Sequence, residues 1–422
     1  MNAIMKKALP ITALLLLLSF NLAWSRGEGD ARATGMGGAY TALARDLDAP
    51  SWNPANLGLS DGKSFSMNIL NVGLKFKNNS FSLDDYNRYN GKFLTDSDKE
   101  EIINSIPAEG LSLDLSAEAS AMNFSVGNFA LTYKGLGVSS FKLDRDPFIL
   151  MLLGNAVMRD VSIRDTRGEA YALGDVALSY GQPIRKWDGG EMSVGGSLHY
   201  LRGFAYEKVA DAEGGVSTTD SGFVGSGQMI LRSSLGGQGY AADMGMAIRF
   251  EDSWFFSAVW QNIAGKMNWN HKNEDYLMQF DMQPVTVNDM TDENLVDSLV
   301  TSSDTTYDIG AFSSKLQPAF RLGLARTFRK LVLSLDWEQN LFSGPGTGVN
   351  PRLATGVEYS PWKKLPLRTG LAFGGAQGTT YSLGFGIRTG SVNFDLGAAN
   401  SGAISPNRTK GARLAIGMDF RF

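Results

Sequence analysis

Residues 411–422 of the chain read GARLAIGMDFRF. Every second side chain from Ala412 to Phe422 is apolar, whereas the side chains between them are small or charged. Because successive side chains of a β-strand point to opposite faces, this alternation predicts a strand with one apolar face. The apolar set is Ala412, Leu414, Ile416, Met418, Phe420 and Phe422, and the opposite set is Arg413, Ala415, Gly417, Asp419 and Arg421.

The same alternation recurs upstream, and the charged residues again fall opposite the apolar face. It is clearest in residues 238–250, 331–342, 380–389 and 391–401. Many of these stretches are about 10–15 residues long, where strands of soluble proteins average about 5–6. A tilted strand needs about 9–11 residues to cross a bilayer. The polar faces are rich in Gly, Ser and Asn, which is typical of the wet interior of a membrane barrel.

The spacing of the strands separates a membrane barrel from a soluble sandwich. Long connections alternate with short ones, such as GN at 127–128 and RK at 329–330. This arrangement is typical of outer-membrane barrels, which have long extracellular loops and short periplasmic turns. The predicted fold is therefore all-β, a transmembrane antiparallel β-barrel of about fourteen strands. These strands are expected near residues 63–77, 111–126, 128–142, 169–182, 191–207, 238–250, 254–269, 316–328, 331–342, 351–361, 366–375, 380–389, 391–401 and 411–422.

The first residues predict export. Lys6 and Lys7 precede the apolar run ALPITALLLLLSF, and LAWS follows with small residues at the positions expected for cleavage. An uncleaved anchor would need about 18–20 apolar residues. We therefore expect a signal peptide at residues 1–25, removed to leave a chain that begins near Arg26. No cysteine is present, and a net charge of −4 gives no indication of a nucleic-acid partner.

Residues 26–62 precede the first strand and contain the stretch GMGGAYTALARDLDAPSWNPANLGL. Asn53 and Pro54 match an N-cap and a first helical position. The glycines do not match a phosphate-binding loop, because no strand precedes them and no Lys-Ser/Thr pair follows at the required spacing. Small residues around a short helix predict a compact hatch inside the barrel lumen. Its motif residues are Gly35, Gly37, Gly38, Trp52, Asn53, Pro54 and Ala55.

This opening, followed by a barrel at residues 63–422, resembles two families of outer-membrane proteins. It is similar to the FadL/TodX transporters of hydrophobic compounds and to the PorV/PorQ-like barrels associated with protein secretion, and the WNPA form at 52–55 is closer to the PorV-like pattern. The resemblance implies an outer-membrane barrel with a hatch. It leaves two functions open: transport of hydrophobic or small amphipathic compounds, and attachment of a secreted protein partner. The expected contacts are thus membrane lipid and either a hydrophobic small-molecule ligand or a secreted protein.

The sequence gives little support for catalysis, a cofactor or a metal. The two histidines are His199, which alternates onto the lumen face of its strand, and His271, which begins a long loop. Neither has a second histidine at the spacing of a metal site. We predict no enzyme activity, no catalytic residues, no cofactor and no metal site. The segment 271–308 carries nine acidic residues and one lysine, and a solvated extracellular loop is the expected structure.

One loop is more apolar than a solvated loop should be. The stretch Phe148–Met158 follows Asp146 and Pro147 and predicts a helix near the outer mouth of the barrel. Such a helix could provide an apolar docking surface for a ligand, or it could pack back onto the barrel rim or the membrane surface. The residues of this candidate docking helix are Phe148, Ile149, Met151, Leu152 and Leu153.

Overall fold

The computed structural model describes residue 27, residues 29–286, residue 289 and residues 298–422. The expected signal peptide at residues 1–25 lies outside these described residues. Among the helices of the described part, none combines the length and the apolar character that a membrane-spanning helix requires.

The strands form one antiparallel sheet that closes on itself. In chain order the described strands are β1 Phe65–Asn78, β2 Leu111–Ser120, β3 Phe124–Val126, β4 Phe129–Leu143, β5 Asp160–Ser162, β6 Arg167–Trp187, β7 Gly190–Thr219, β8 Gly222–Ser234, β9 Gly237–Phe250, β10 Trp254–Trp269, β11 Glu274–Val285, β12 Val300–Asp308, β13 Phe312–Lys315, β14 Ala319–Phe328, β15 Leu331–Asn340, β16 Arg352–Trp362, β17 Leu365–Gly374, β18 Thr380–Thr389, β19 Val392–Ser401 and β20 Gly411–Arg421.

Fourteen wall strands make up the closed barrel, which confirms the predicted fold class. β2 and β3 together form one wall strand, because both pair with β1 and β4. β13 and β14 likewise form one strand beside β10. The ring closes where β20 pairs with β1, from Ser66 opposite Arg421 to Lys77 opposite Gly411.

The two faces of the wall follow the predicted alternation. On β20, Leu414 and Ile416 are exposed on the outer face, whereas Ala415 and Asp419 are buried on the inner face. Large exposed apolar side chains also cover the outside of the other wall strands, among them Leu383, Leu198 and Trp260. The barrel therefore has an apolar exterior, and its charged side chains lie inside.

Short turns join the strands at one end of the barrel, which we call the short-turn end. The hairpin between β6 and β7 has only Asp188 and Gly189 between its strands, and Gly189 has a φ of +73°. Arg329, in the turn between β14 and β15, also adopts a positive φ, of +45°. Two short helices, α1 Ala31–Gly35 and α2 Ala49–Trp52, precede β1. The opposite, long-loop end carries helices α3 Leu83–Tyr89, α4 Asp96–Ser105 and α5 Asp146–Leu153 and a 3₁₀ turn at Pro406–Arg408.

Two stretches that were expected to be loops, residues 208–237 and 270–315, contain β-strands. β7 is 30 residues long and continues beyond the wall at the long-loop end, where it pairs with β8. β8 then pairs with β11, and β11 pairs with β12. We use the name blade for the small sheet formed by the end of β7 together with β8, β11 and β12. The segment 271–308 is thus not simply a solvated loop, because its described residues include two strands held by backbone hydrogen bonds.

Because the chain has no cysteine, engineered thiols test closure of the ring directly. Val72 and Ile416 are partners across the β1–β20 seam, and directly opposed residues have Cβ atoms about 5 Å apart. We expect Val72→Cys/Ile416→Cys to be joined by a short bifunctional methanethiosulfonate, which closes a covalent loop between residues 72 and 416 and alters migration in denaturing electrophoresis. The control pair Val72→Cys/Phe420→Cys places the thiols about 13 Å apart. Equal cross-linking of both pairs would show that the seam is wrong.

Candidate functional site

The barrel lumen holds the chain that precedes β1. We call residues 29–62 the N-terminal segment; it contains helices α1 Ala31–Gly35 and α2 Ala49–Trp52 and 3₁₀ turns at Asp46–Asp48 and Pro54–Gly58. Nearly all of residues 31–59 are buried. α1 contacts β17–β20, and the turn at 54–58 contacts β6, β7 and β9 on another part of the wall. The segment therefore spans the lumen.

Polar wall side chains bind the middle of the segment through its backbone. Asp336 on β15 accepts hydrogen bonds from the N–H groups of Tyr40 at 3.0 Å and Thr41 at 2.7 Å. The hydroxyl of Ser334 donates to the carbonyl of Ala39 at 2.7 Å. Irregular backbone cannot satisfy its own polar groups, so these wall side chains replace the hydrogen bonds that water would otherwise make.

The Asn-Pro-Ala turn is attached to the wall in the same way. Asn53 caps the turn by accepting from the N–H of Ala55 at 3.0 Å, and its amide donates to the carbonyl of Met246 at 2.9 Å. Ser193 on β7 donates to the carbonyl of Ala55 at 2.6 Å. Asn53 thus acts both as the predicted N-cap and as a link to β9, and an ionised Asp, which has no donor, could not make both contacts.

Trp52 occupies the centre of the segment. Its ring lies edge-on to Tyr40, with centroids 5.6 Å apart, and its indole N–H donates to Asp30 at 3.2 Å. The guanidinium of Arg321 lies 5.0 Å from the ring centroid, a cation–π contact. Trp52 therefore connects the two ends of the segment with β14.

A chain of ion pairs holds α1 against the wall. Arg32 makes a fork of two bonds to Glu358, at 2.8 and 3.0 Å. Glu358 also accepts from Arg368 at 2.7 Å, and Arg368 donates to Asp395 at 2.6 Å. Buried ion pairs of this kind are costly to break, because removal of one partner leaves an uncompensated charge. At the other side of the segment, Arg421 donates to Asp48 at 3.0 Å.

Close approach between the segment and the wall accounts for part of the abundance of glycine. A Cβ on Gly370 would overlap the backbone of Met36 and Gly37, and a Cβ on Gly397 would overlap Ala31. Gly37 itself has a φ of +67°. The wall glycines facing the segment in this way are Gly181, Gly195, Gly245, Gly323, Gly356, Gly370, Gly384 and Gly397.

Substitution of one such glycine provides a test. We expect Gly370→Ala to lower stability by about 1–3 kcal/mol, the usual effect of overpacking, and to loosen the segment, because the added methyl meets backbone that cannot rotate away. The measurement is the urea concentration at which the N-terminal segment is half released, followed by the mobility of a spin label attached to Ser60→Cys. Gly135→Ala on β4 is the matched control, since its nearest neighbour would be the Ala119 oxygen at 3.9 Å. Equal urea midpoints for Gly370→Ala and Gly135→Ala would show that close packing at Gly370 does not stabilise the segment.

Buried carboxyl groups in the segment make its stability depend on pH. Burial, with a contribution from the nearby Asp48, raises the pKa of Asp30 to about 7 from an ordinary value of 3.8. Burial also raises the pKa of Asp46. Because the folded segment favours the protonated acids, its packing is strongest at low pH and weakens as pH rises through these values.

We therefore expect the urea midpoint of the same spin-labelled segment to fall between pH 4 and pH 8. Asp30→Asn keeps an oxygen acceptor but removes the ionisation, so it should reduce this fall without abolishing it, because Asp46 also contributes. Asp61→Asn changes an exposed carboxylate of the same segment and serves as the control. If Asp30→Asn shows the full wild-type pH dependence, the assignment to Asp30 is wrong.

An apolar cluster occupies the long-loop half of the lumen, beyond the segment. Its buried members are Leu136, Val138, Leu173, Leu201, Tyr206, Ala241, Met267, Trp269 and Leu316. A cavity of about 340 Å³ adjoins it, lined by Tyr171, Met267, Trp269, Leu316 and Phe342 together with polar residues that include Glu169 and Lys315. Its volume lies within the range of small-molecule sites.

A larger apolar groove, of about 550 Å³, is lined by exposed outer-face side chains such as Leu74 and Phe76, so it faces away from the lumen.

The candidate docking helix is present as α5 at the long-loop end. It packs against α4, and Arg145, which precedes it, donates to the carbonyl of Ile103 at 3.0 Å. Met151 is exposed, whereas Phe148, Ile149, Leu152 and Leu153 are in part covered. A role for these residues in ligand docking stays a prediction.

His199 lies on the lumen face of β7, as its alternation predicts. Its Nδ1 is 2.9 Å from Asp175 on β6, and its Nε2 is 3.4 Å from Asp243 on β9. Asp243 also accepts from the N–H of Asn262, which adopts a positive φ of 57°. Within the described residues, no group of three or more such side chains has a geometry that could hold a metal ion. The carboxylate neighbours were not identified from the sequence, although both occupy lumen positions of the alternation.

Comparisons with known proteins agree with this architecture. A family model described as "Family of unknown function (DUF5723)" matches residues 54–399. No curated protein matches the chain. The crystal structure of the Ralstonia pickettii toluene transporter TbuX is 13% identical, with a TM-score of 0.51 over 93% of this chain and 98% of that one. A Pseudomonas aeruginosa FadL homologue is 12% identical, with a TM-score of 0.52 over 96% and 100%. The P. putida toluene transporter TodX is 10% identical, with a TM-score of 0.50 over 92% and 97%. The fold is that of the FadL/TodX barrels.

Proposed function

We propose that this chain, which belongs to the family of unknown function DUF5723, is an outer-membrane channel for hydrophobic or small amphipathic compounds, with the N-terminal segment as its hatch. The observation that carries the proposal is a closed barrel whose lumen is filled by a segment attached to the wall. Crystal structures with the same fold are described as toluene transporters. No catalytic step is assigned to the chain.

The exterior of the barrel supports a membrane location. Side chains such as Leu198, Tyr240 and Leu383 are more than half exposed on the outer face. Apolar surface of this extent is not stable in water and is covered in a bilayer. Under this placement the short turns face the periplasm and the long loops face the exterior. Cleavage of the signal peptide before Arg26 remains part of the proposal.

The lumen supports passage of a solute with an apolar part. The apolar cluster between β4 and β10 and the cavity of about 340 Å³ beside it lie between the long loops and the N-terminal segment. A solute that enters from the long-loop end would therefore meet apolar side chains first and the segment second. Movement of the segment would then open the remaining path.

The blade favours a second candidate function, attachment of a secreted protein. Its strands project beyond the wall, and every residue of β12 after Val300 is exposed. Among the described residues β12 pairs only with β11, so its other edge resembles the edges to which extended peptides add as a further strand. In this alternative the barrel is an anchor, and solute flux is absent.

Uptake into liposomes distinguishes the two functions. We expect vesicles containing the purified chain to accumulate a fluorescently labelled fatty acid faster than protein-free vesicles, because the lumen offers it an apolar path.

Deletion of residues 26–60 should in addition raise the conductance for small ions several-fold, since it empties the lumen. Deletion of residues 80–108, a loop of similar length outside the wall strands, is the matched control. Absence of uptake would end the channel proposal, and unchanged conductance would end the hatch assignment.

A further inference from the structure

β12 forms the outer edge of the blade, and this edge is long and uncovered. The strand is nine residues long, Val300–Asp308, and all of its residues after Val300 are exposed. Its pairing with β11 continues without a bulge, and among the described residues no other strand pairs with it. Proteins usually protect such an edge with lysine, proline, a bulge or a covering loop. β12 reads VTSSDTTYD and has none of the first three, so its edge is open to a further strand.

The pairing of β12 with β11 shows which of its backbone groups are open. The N–H of Ile309 donates to the carbonyl of Asn273 at 2.9 Å, one pair beyond Glu274–Asp308 in the same register. Hydrogen-bonded and non-bonded pairs alternate along antiparallel strands. The odd-numbered residues of β12 are therefore bonded to β11, whereas the N–H and C=O groups of the even-numbered residues point away from it. These outward residues are Ser302, Asp304, Thr306 and Asp308.

β12 carries two charges, and both are negative. Asp304 and Asp308 are four residues apart, so their side chains lie on the same face of the strand. Neither β11 nor β12 contains a lysine or an arginine, and Asp304 accepts a hydrogen bond of 2.6 Å from the neutral hydroxyl of Tyr276. Opposite charges on directly opposed residues stabilise a sheet. An added strand is therefore favoured when it has a cation opposite each acid.

A second copy of β12 fits this edge less well than a basic strand does. Full-length antiparallel pairing of β12 with itself places Asp304 opposite the same residue of the second copy, and like charges in this position destabilise a sheet. We propose that the open edge of β12 binds an extended segment of a partner protein as an added strand, and that this segment has lysine or arginine at two positions four residues apart. The inference rests on the second candidate function, attachment of a secreted protein, and names the chemistry of the attached segment.

Fluorescence anisotropy of a labelled peptide, titrated with the full chain in detergent, tests the edge. The probe is the blocked peptide TKTVTKTVT, whose two lysines are four residues apart on one face of a strand. We expect saturable binding of one peptide per chain. Three control peptides should each bind at least about fivefold more weakly. TETVTETVT reverses the charges, TKTVKTTVT places the lysines on opposite faces, and TKTPTKTPT lacks two N–H groups that would bond to β12.

Variants of the chain locate the site. Thr306→Pro removes an outward N–H of β12 and none of its bonds to β11, as edge strands tolerate, and it should weaken binding of TKTVTKTVT at least about tenfold. Asp304→Asn/Asp308→Asn removes both charges and should weaken it about fivefold or more. Asp220→Asn changes an exposed acid in the turn between β7 and β8 of the same blade. It is the matched control and should leave binding unchanged.

Each outcome decides something about the edge. Binding that both β12 variants weaken supports the proposal. Absence of saturable binding, equal affinity for the lysine and glutamate peptides, or equal affinity for the proline peptide would overturn it. Self-association of the chain that Thr306→Pro abolishes would overturn it as well, because a second copy then occupies the edge. Capture of a secreted protein by the intact chain tests attachment itself, and liposome uptake tests the channel, so failure of either function is distinguishable from failure of the peptide titration.

Discussion

Pairing of β20 with β1 is the contact on which the rest of the structure depends. It satisfies the edges of the first and last wall strands from Ser66–Arg421 to Lys77–Gly411, and Phe422 continues it with a backbone hydrogen bond to Phe65 at 2.9 Å. An unpaired edge in hydrocarbon would cost several kcal/mol for each polar group. Closure also defines an inside, so the alternation along each strand becomes a separation of the charged lumen from the apolar exterior.

Once the charges are enclosed, something polar must occupy the space between them. Arg368, with no exposed side-chain surface, binds Glu358 and Asp395, and the segment supplies Arg32 to the same network. The wall and the segment are thus complementary in two respects, charge and shape. Glycines such as Gly370 and Gly397 let backbone pack against backbone, and side chains such as Asp336 then bind the exposed N–H groups.

The strands could be predicted from the sequence because their determinant is local. A period of two dominates the wall strands, although bulges interrupt it in strands such as β1 and β10. The structure confirms the predicted positions within a few residues apart from the extensions of β6 and β7. The blade was missed although β11 shows the same period in Tyr276, Met278, Phe280 and Met282, because its acidic neighbours resembled a solvated loop. The partners of Arg32 or His199 could not be predicted, since Glu358 and Asp175 reach them only through register and closure.

The attachment of the N-terminal segment bears on how a lumen filled with protein could admit a solute. Its contacts fall into separate groups: α1 on β17–β20, the backbone of residues 39–41 on β15, and the Asn-Pro-Ala turn on β7 and β9. Ion pairs hold α1 and neutral hydrogen bonds hold the turn itself. Charged groups also bind the residues on either side of the turn, since Arg421 donates to Asp48 and Glu191 accepts from the N–H of Ser60. Charge-assisted bonds are about twice as strong as neutral ones. A rearrangement that frees the turn while α1 stays bound would leave the Arg32–Glu358 pair intact but has to break or carry with it the bonds of Asp48 and Ser60. It would open the side of the lumen on which the apolar cluster lies.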